Sequence, residues 1–429
     1  MTARRGSHLA LAAVAVLLAL VGCSSGPGAA SRSATASSAG ELVIGAVYPL
    51  SGPQSPGGHE ELAGVQTALQ LAEQRGVLGS RTIRLQVESA TTPDTARQAV
   101  DRLIDRYHVS AIIGTYGSTL AAAAASRADQ RRVVYWETGA VADSVSTGHP
   151  YVFQTVATGS TLGRAAADFT SDVLLPAAGL LPTGARVVIV AVDDVYGRAV
   201  AGGELARAAQ HGINVVDRID YDPRRLDAGT LARRLGDDRP DYLWDVSYID
   251  DGIAIWRAVL AHGVHLRAAI GTSSAFCMPD FGLRMGKQAV GVYAADKPDQ
   301  AGVNPAVLLP AARELLSSAS SAYSRRMGGQ KMSIPGMAGF VGGWALFHGV
   351  LPAVAGVVTP EALRDHAYAL AEPMYSSING GGLQFGQPGT PDGGQNLLAP
   401  AVVGQWQAVN TMRVVFPAPF ADAQPLLGS

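Results

Sequence analysis

Side chains that could do catalytic chemistry are few in this sequence, and their spacing is incomplete. His59, Glu60 and Glu61 begin a His-Glu-x-x-His zinc pattern, but the second histidine is missing. The nine histidines are scattered without the spacing of metal ligands. The sequence has neither a Gly-x-Ser-x-Gly nucleophile elbow nor a Gly-Lys-Ser/Thr phosphate loop. We therefore expect no enzyme, no metal and no cofactor.

Two adjacent carboxylates, Asp193 and Asp194, follow the apolar run VVIVAV. Such a pair could bind a cation or act as an acid and a base. Alternatively, one of them caps the helix that follows near Tyr196 by accepting its free backbone N–H groups. We favour the capping interpretation.

A polar tip made of Thr115, Tyr116, Gly117, Ser118 and Thr119 joins the apolar run AIIG to an alanine-rich stretch. The alanines predict a helix, so the tip carries free N–H groups beside two hydroxyl groups. These donors and the partial positive charge of a helix N-terminus favour an anion or a carbonyl oxygen. Ser118 or Thr119 could instead only cap the helix, but capping does not prevent ligand contact, which we favour. The stretch lacks the Gly-x-Gly-x-x-Gly pattern of a dinucleotide site.

Alternating strands and helices position these groups. From Glu41 onward, apolar runs of strand length alternate with stretches that are apolar at helical spacing, and this series occurs twice. Short turns between the elements predict parallel sheets covered on both faces, and hence two doubly wound α/β lobes. Ligands bind beyond the carboxyl ends of such strands, so a cleft between the lobes is the predicted site. Its candidate loops follow Leu50, Gly114, Trp136, Val192, Val246 and Gly271.

The last part of the chain has a looser pattern. Helices are predicted over residues 311–326, 339–355 and 360–370. A stretch rich in Gly and Pro, GQPGTPDGGQ, then leads to a final strand near AVVGQWQ.

Composition and charge exclude several classes of protein. The chain has 429 residues, of which 48% are hydrophobic and 16% charged, which is enough for two lobes with substantial cores. A formal net charge of -2 argues against a nucleic-acid partner. The two cysteines, Cys23 and Cys277, cannot build a disulfide framework, and Cys277 is expected to be buried and inert.

The N-terminus has the pattern of an export signal. Arg4 and Arg5 precede LALAAVAVLLAL, which is too short to span about 30 Å of hydrocarbon. It ends in Leu-Val-Gly-Cys23, which resembles the bacterial lipobox and implies a diacylglycerol group on the Cys23 thiol. Residues 1–22 are the predicted signal peptide, and residues 23–40 are the lipidated cysteine and a flexible Ser/Ala/Gly tether. We expect a protein outside the cytoplasm, lipid-anchored to the cell membrane, with no other stretch long enough to cross it.

Four segments in order resemble one known family: IGAVYPLSGP, AIIGTYGST, VDDVYGRAVAGGELARAAQHGINVV and DVSYIDDGIAIWRAVLAHG. They are similar to the branched-chain amino acid and amide-binding proteins of ABC importers, which are type I periplasmic binding proteins. The resemblance implies two Rossmann-like lobes, joined by three crossing strands, that close on a small polar ligand. The predicted lobe I comprises residues 41–157 and 275–390, and the predicted lobe II comprises residues 158–274 and 391–429.

The resemblance also implies ligand contacts in the first lobe. The tip from Tyr116 to Thr119 matches the stretch that receives the ligand's carboxylate in the family. A neighbouring loop that matches the family's second ligand loop comprises Gly139, Ala140 and Val141. That loop contributes backbone groups and often a hydroxyl at its third position, which Val141 cannot supply.

Two tyrosines are the implied contacts from the second lobe. Tyr248, at the end of DVSY, matches an aromatic residue that closes over the ligand, although it could instead pack at the edge of the lobe. Tyr196 could also reach the cleft.

The stretch after Gly271 departs from the family's pattern. Amino acid binders commonly carry an acidic residue there for the α-ammonium group, whereas this chain has a Thr-Ser-Ser run in which Ser273 is a candidate ligand contact. An ammonium group buried without an opposite charge is costly, so either another carboxylate replaces the acidic residue or the ligand has no ammonium group. Glu137 is the first candidate replacement, and Asp245 and Asp250 are second choices. Alternatively, Glu137 is only a solvated or hydrogen-bonded loop carboxylate.

The resemblance therefore predicts a monomeric solute-binding lipoprotein. Its expected ligand is an amino acid, an amide or a urea-like solute, and its expected partners are the permease and ATPase subunits of an ABC importer. One alternative is a ligand-sensing lipoprotein that feeds a membrane signalling system. A further alternative is an amidase-like lipoprotein enzyme with Glu137 as general base.

Overall fold

The computed structural model describes residues 41–427. The predicted signal peptide, Cys23 and the tether lie outside the described residues, so their assignment stays a prediction from the sequence. In the part that is described, strands and helices alternate and build two large sheets and one small one.

The first sheet is parallel throughout, with the strand order β2-β1-β3-β4-β5. Its strands are β1 (Leu42–Tyr48), β2 (Ile83–Ser89), β3 (Ala111–Gly114), β4 (Val134–Glu137) and β5 (Val152–Gln154). The last three are buried along their whole length, as expected for strands with helices on both faces. We call this sheet and the elements that pack on it the first lobe.

The second sheet has the order β14-β13-β10-β9-β8-β6-β7, and only β13 runs antiparallel to both of its neighbours. Its strands are β6 (Val187–Val192), β7 (Val215–Tyr221), β8 (Tyr242–Val246), β9 (Ala268–Thr272), β10 (Tyr293–Asp296), β13 (Val402–Ala408) and β14 (Thr411–Phe416). A separate antiparallel pair consists of β11 (Ala371–Glu372) and β12 (Leu383–Gln384). We call the seven-stranded sheet and the elements that pack on it the second lobe.

Helices cover both sheets, and polar side chains fix where several of them begin. The helices are α1 (Ser55–Gln74), α2 (Pro93–Tyr107), α3 (Ser118–Gln130), α4 (Gly159–Phe169), α5 (Leu175–Ala178), α6 (Val195–His211), α7 (Ala228–Asp238), α8 (Ile249–Ala261), α9 (Pro279–Met285), α10 (Pro310–Arg326), α11 (Ile334–Trp344) and α12 (Pro360–Ala369). Side-chain oxygens accept first-turn N–H groups at the caps Thr92, Asp194, Asp227, Ser333 and Thr359. Because Ser333 and Pro335 provide a strong start signal, α11 begins at Ile334 rather than at the predicted residue 339.

The predicted class of two doubly wound α/β lobes is confirmed, but the lobe boundaries differ from the prediction. The predicted return to lobe I at residue 275 comes too early, because Phe276 and Phe281 belong to the second lobe's core and β10 pairs with β9. The chain leaves the second lobe only after Asp296. The predicted start of the last segment at residue 391 is also early, because Gln395 still bridges to Gln154 of β5.

One helical stretch among the described residues, Ile334–Ala353, is long and apolar enough to cross a membrane by length and composition. The sequence alone predicted no such stretch outside the signal peptide. In the most apolar 18-residue part of this stretch, 83% is buried inside the protein. Met337, Phe340 and Phe347 belong to the first lobe's core. It is therefore a core helix of this fold.

Helices α1 and α11 approach each other to backbone distance, and glycine permits this approach. A Cβ atom on Gly64 would overlap the Gly336 carbonyl oxygen. We expect Gly64→Ala to lower the free energy of unfolding by about 2 kcal/mol, because the two helices must separate. Urea denaturation measures this change. The matched control is Gly202→Ala, at an exposed position of α6 with open space around it, which should gain about 0.5–1 kcal/mol. Equal effects of the two substitutions would contradict the tight crossing.

Candidate functional site

The carboxyl ends of the parallel strands face each other across a cleft in which the lobes touch. The Tyr116 hydroxyl, from the tip after β3, lies 3.5 Å from the Ser274 hydroxyl of the second lobe. The Thr119 hydroxyl donates to Asp194 Oδ2, also of the second lobe, at 3.2 Å. Residues of the predicted tip therefore contact the opposite lobe directly.

The mouth of the cleft contains a cavity of about 320 Å³. Two tyrosine rings, Tyr116 and Tyr248, and the Met278 side chain provide its apolar wall, and carboxylates lie around it. The lining residues are Pro53, Gln54, Pro56, Gly57, Glu60, Tyr116, Pro223, Arg224, Tyr248, Ile249, Asp250, Asp251, Ser274, Met278, Pro279 and Asp280. A volume of this size corresponds to a small metabolite.

Ser118 connects two loops of the first lobe and does not cap α3. The cap position of α3 is Gly117, which provides no side-chain cap, so neither Ser118 nor Thr119 caps the helix. The Ser118 hydroxyl oxygen accepts the N–H groups of Val141 and Ala142, each at 3.2 Å. Ser118 therefore connects the tip to the neighbouring loop, and contact with a ligand stays a proposal.

Asp194 acts as the predicted helix cap and also joins the two lobes. Its Oδ1 atom accepts the Gly197 N–H group at 2.9 Å, which confirms the capping interpretation. Its Oδ2 atom accepts the Tyr248 hydroxyl at 2.7 Å and the Thr119 hydroxyl. Asp193 points elsewhere and pairs with Arg198 at 2.7 Å.

Glu137, the first candidate for an ammonium partner, is fully buried and holds backbone groups instead. Its Oε2 atom accepts the Thr115 N–H group at 2.7 Å. Its Oε1 atom accepts the N–H groups of Gly139 and Ala140 at 2.8 and 2.7 Å. Both oxygens are thus occupied, which favours the alternative of a hydrogen-bonded loop carboxylate. The same contacts argue against Glu137 as a general base.

Side chains of the protein hold the loop of Gly139, Ala140 and Val141 by donating hydrogen bonds to its carbonyl groups. The Ala140 carbonyl accepts the Gln154 side-chain amide at 3.2 Å. The Gly139 carbonyl accepts the Lys297 ammonium group at 3.2 Å. The side chains of Gln154 and Lys297 therefore hold this loop through its carbonyl groups, and the direct contact between the loop and a solute that the resemblance implied stays a proposal.

The two predicted tyrosines of the second lobe lie at different depths. Tyr248 is half-buried and lines the mouth cavity. Tyr196 is buried; its hydroxyl donates to the Ser273 carbonyl and lies 3.3 Å from the Thr272 hydroxyl. The Tyr196 and Tyr248 rings are 5.3 Å apart. Tyr196 therefore fixes the loop after β9 and supports Tyr248.

Asp250 and Asp245, the second choices for an ammonium partner, lie in different places, one at the mouth cavity and the other inside the second lobe. Asp250 lines the mouth cavity but pairs with Arg284 at 2.6 Å. Asp245 is fully buried within the second lobe; burial raises the pKa of the neighbouring Glu204, and the charge of Asp245 raises it further. Cys277 is buried as expected, and burial raises the pKa of its thiol well above the usual value.

Glu61, Asp296 and Lys297 form a buried charged cluster that was not predicted from the sequence. Lys297 Nζ lies 3.5 Å from Asp296 Oδ1. Glu61 Oε1 accepts the Thr138 hydroxyl at 2.5 Å, and burial raises the pKa of Glu61 to about 8. The sequence did carry one signal, since helical spacing puts Glu61 on the same face of α1 as the buried Val65.

Comparisons with known proteins agree with this geometry. A model of the periplasmic binding protein family matches residues 41–407. A Leu/Ile/Val-binding protein homolog (homolog 8) of Brucella suis biovar 1 is 28% identical over 390 residues, which cover 90% of this chain and 93% of the relative.

Two solved structures illustrate the likeness in fold. An ABC transporter substrate-binding protein from Sphaerobacter thermophilus has a TM-score of 0.73 at 22% identity, covering 91% of this chain and 100% of that one. The branched-chain amino acid transporter substrate-binding protein LivJ from Streptococcus pneumoniae, in complex with isoleucine, has a TM-score of 0.70 at 17% identity, covering 88% and 100%. The family match spans most of this chain, both lobes included, so the chain belongs to the periplasmic binding protein family, whose members are solute-binding proteins and not enzymes.

Proposed function

We propose that this protein captures a small polar solute between its lobes, outside the cytoplasm, and delivers it to the permease and ATPase subunits of an ABC importer. Membership of the periplasmic binding protein family supports solute capture and an extracytoplasmic location. The lipobox-like stretch before Cys23 supports a lipid anchor that keeps the protein beside the importer.

The cleft carries this proposal, because both lobes contribute side chains to one small cavity. Tyr116 comes from the first lobe, and Tyr248 and Met278 come from the second. A solute that contacts both lobes has a higher affinity for the closed arrangement and shifts the population toward it. The closed arrangement is then the form that the importer recognises.

The proposed ligand class is an amino acid, amide or urea-like solute. The cavity volume of about 320 Å³ agrees with this class. One structural relative binds isoleucine, which combines an apolar side chain with charged groups. The Tyr116 and Tyr248 rings would pack against the apolar part of such a solute.

A thermal-shift screen with amino acids, amides and urea tests the proposed function. We expect at least one of these solutes to raise the unfolding midpoint, because it binds only the folded protein. Tyr248→Ala should weaken the best solute about tenfold or more, through loss of one aromatic wall. Tyr107→Ala, at a position that does not line the cavity, is the control and should bind normally. A screen in which no solute stabilises the protein, or a Tyr248→Ala variant with unchanged affinity, would contradict the proposal.

A further inference from the structure

An inner cavity lies behind the mouth of the cleft, and Tyr116 lines both spaces. The inner cavity measures about 10 Å³, which is room for one group of the size of water. Its lining includes Gly139 of the first lobe, Ser273 of the second lobe and the three members of the charged cluster, Glu61, Asp296 and Lys297. A single small polar group of a solute could therefore reach the charged cluster past Tyr116.

Two carboxylate oxygens at this cavity lack hydrogen-bond partners among the described residues. They are Glu61 Oε2 and Asp296 Oδ2, on side chains that are 0% and 2% exposed. A buried acceptor without a donor is costly, so such oxygens usually have a partner. The nearby buried carboxyl group of Glu137 differs from these two, because both of its oxygens accept backbone N–H groups. Once both side chains are ionised, the partner that these two oxygens need is a hydrogen-bond donor.

The charges around the inner cavity favour a cationic donor over an anion. Lys297 is already engaged by Asp296 and by the Gly139 carbonyl. Glu61 has only the Thr138 hydroxyl as a hydrogen-bond partner, and burial raises the pKa of Glu61 to about 8, so Glu61 keeps a proton in the empty site near pH 7. The titratable groups that face Glu61 are Tyr48, Tyr116, Tyr135, Glu137, Asp296 and Lys297, and the Cys277 thiol faces Asp296.

We propose that Glu61 and Asp296 form the subsite for a primary ammonium group of the solute, with Lys297 orienting Asp296. This inference rests on the proposed function and names the solute as a primary amine or amino acid. The ammonium N–H groups donate to Glu61 Oε2 and Asp296 Oδ2, and Glu61 releases its proton to solvent as the cation arrives. The subsite replaces the acidic residue that is absent after β9, where this chain has Thr272 and Ser273.

Gly139 makes the subsite possible. A Cβ atom at this position would overlap Glu61 Oε2, so Glu61 could not keep its place beside the loop. The backbone of the ligand loop and the proposed ammonium partner thus pack directly on each other.

A paired panel of solutes tests this subsite separately from the proposed function. The panel contains the proteinogenic amino acids and short primary amines, each matched with an analogue in which hydrogen replaces the ammonium group. We expect only members with an ammonium group to raise the unfolding midpoint. If the analogues without it stabilise the protein equally well, the subsite is wrong while solute capture stands. If no member of either set stabilises the protein, both proposals fail.

Isosteric variants and proton counting complete the test. Asp296→Asn and Glu61→Gln should each weaken the best amine by tenfold or more, whereas Glu73→Gln, exposed on the same helix as Glu61, should not. Calorimetric titration in buffers of different ionisation enthalpy should show release of about one proton near pH 7 by the wild-type protein and none by Glu61→Gln. If Glu61→Gln is unstable, two measurements still test the subsite: proton release by the wild-type protein and the affinity of Asp296→Asn for the amine. Absence of proton release, together with unchanged affinity of Asp296→Asn, would overturn the assignment.

Discussion

Glu137→Ala is expected to lower the free energy of unfolding by about 3 kcal/mol or more. The carboxylate accepts three backbone N–H groups, of Thr115, Gly139 and Ala140, and all of these residues are buried. The Ala140 N–H group keeps a second acceptor, the Thr115 carbonyl at 3.1 Å, so two donors, of Thr115 and Gly139, lose their acceptor at a cost of about 1–3 kcal/mol each. Since these donors shape the tip and the neighbouring loop together, solute affinity should fall in the same variant.

Urea denaturation measures the change at Glu137, and Glu314→Ala is the control. Glu314 is exposed and makes a single 3.4 Å pair with Arg75, so its loss should change stability by less than about 0.5 kcal/mol. A Glu137→Ala variant of normal stability that has lost solute binding would show that the carboxylate contacts the solute instead of holding the loops.

The stability of the protein is expected to fall as the pH rises from 5 to 9, mainly through two carboxyl groups of the second lobe. Glu204 and Asp245 are fully buried, and their carboxylate oxygens have no hydrogen-bond partner within residues 41–427. Burial raises the pKa of Glu204 to about 8 and the pKa of Asp245 to about 7. The folded protein therefore holds these protons more tightly than the unfolded chain.

The direction of the effect follows from this difference in proton affinity. The stabilisation is complete below the pKa of the unfolded carboxyls and is lost as the pH rises through 7 and 8. Each unit of pKa shift corresponds to about 1.4 kcal/mol, so Glu204 alone accounts for a loss on the order of 4 kcal/mol. Glu61 and Glu137 act in the same direction, because burial raises the pKa of both.

Glu204→Gln isolates the contribution of one carboxyl group. The variant keeps the shape but has no proton to lose, so its stability should depend on pH less steeply and exceed that of the wild-type protein at pH 9. Glu73→Gln, which changes an exposed carboxylate, should leave the slope of the wild-type profile intact. A wild-type profile that is flat between pH 5 and 9, or an unchanged slope in Glu204→Gln, would show that Glu204 is ionised in the folded protein.

Local patterns were sufficient to predict the two lobes. The apolar run VVIVAV became the buried strand β6, and the residues that follow became α6 with Asp194 as its cap. Strand β10 was not predicted, because Tyr293–Asp296 is short and becomes a strand only through pairing with β9 and β13. The boundary error at residue 275 has the same origin.

The candidate site was predictable only as far as the loops that form it. The tip and the loop after β4 lie at the cleft as their positions at strand ends implied. The role of Glu137 depends on backbone groups of Thr115 in another segment, which no local pattern reveals. Glu61, Asp296 and Lys297 come together from elements far apart in the sequence, so the charged cluster exists only in the fold.

Small-angle X-ray scattering, with and without the best solute of the thermal-shift screen, tests most directly whether the lobes close on a bound solute. We predict that a saturating concentration of solute reduces the radius of gyration of the wild-type protein, because contacts such as Thr119 to Asp194 and Tyr116 to Ser274 form only when the lobes meet. A scattering profile that stays the same while calorimetry shows saturation would mean that the solute binds a rigid particle, and this would contradict capture by closure.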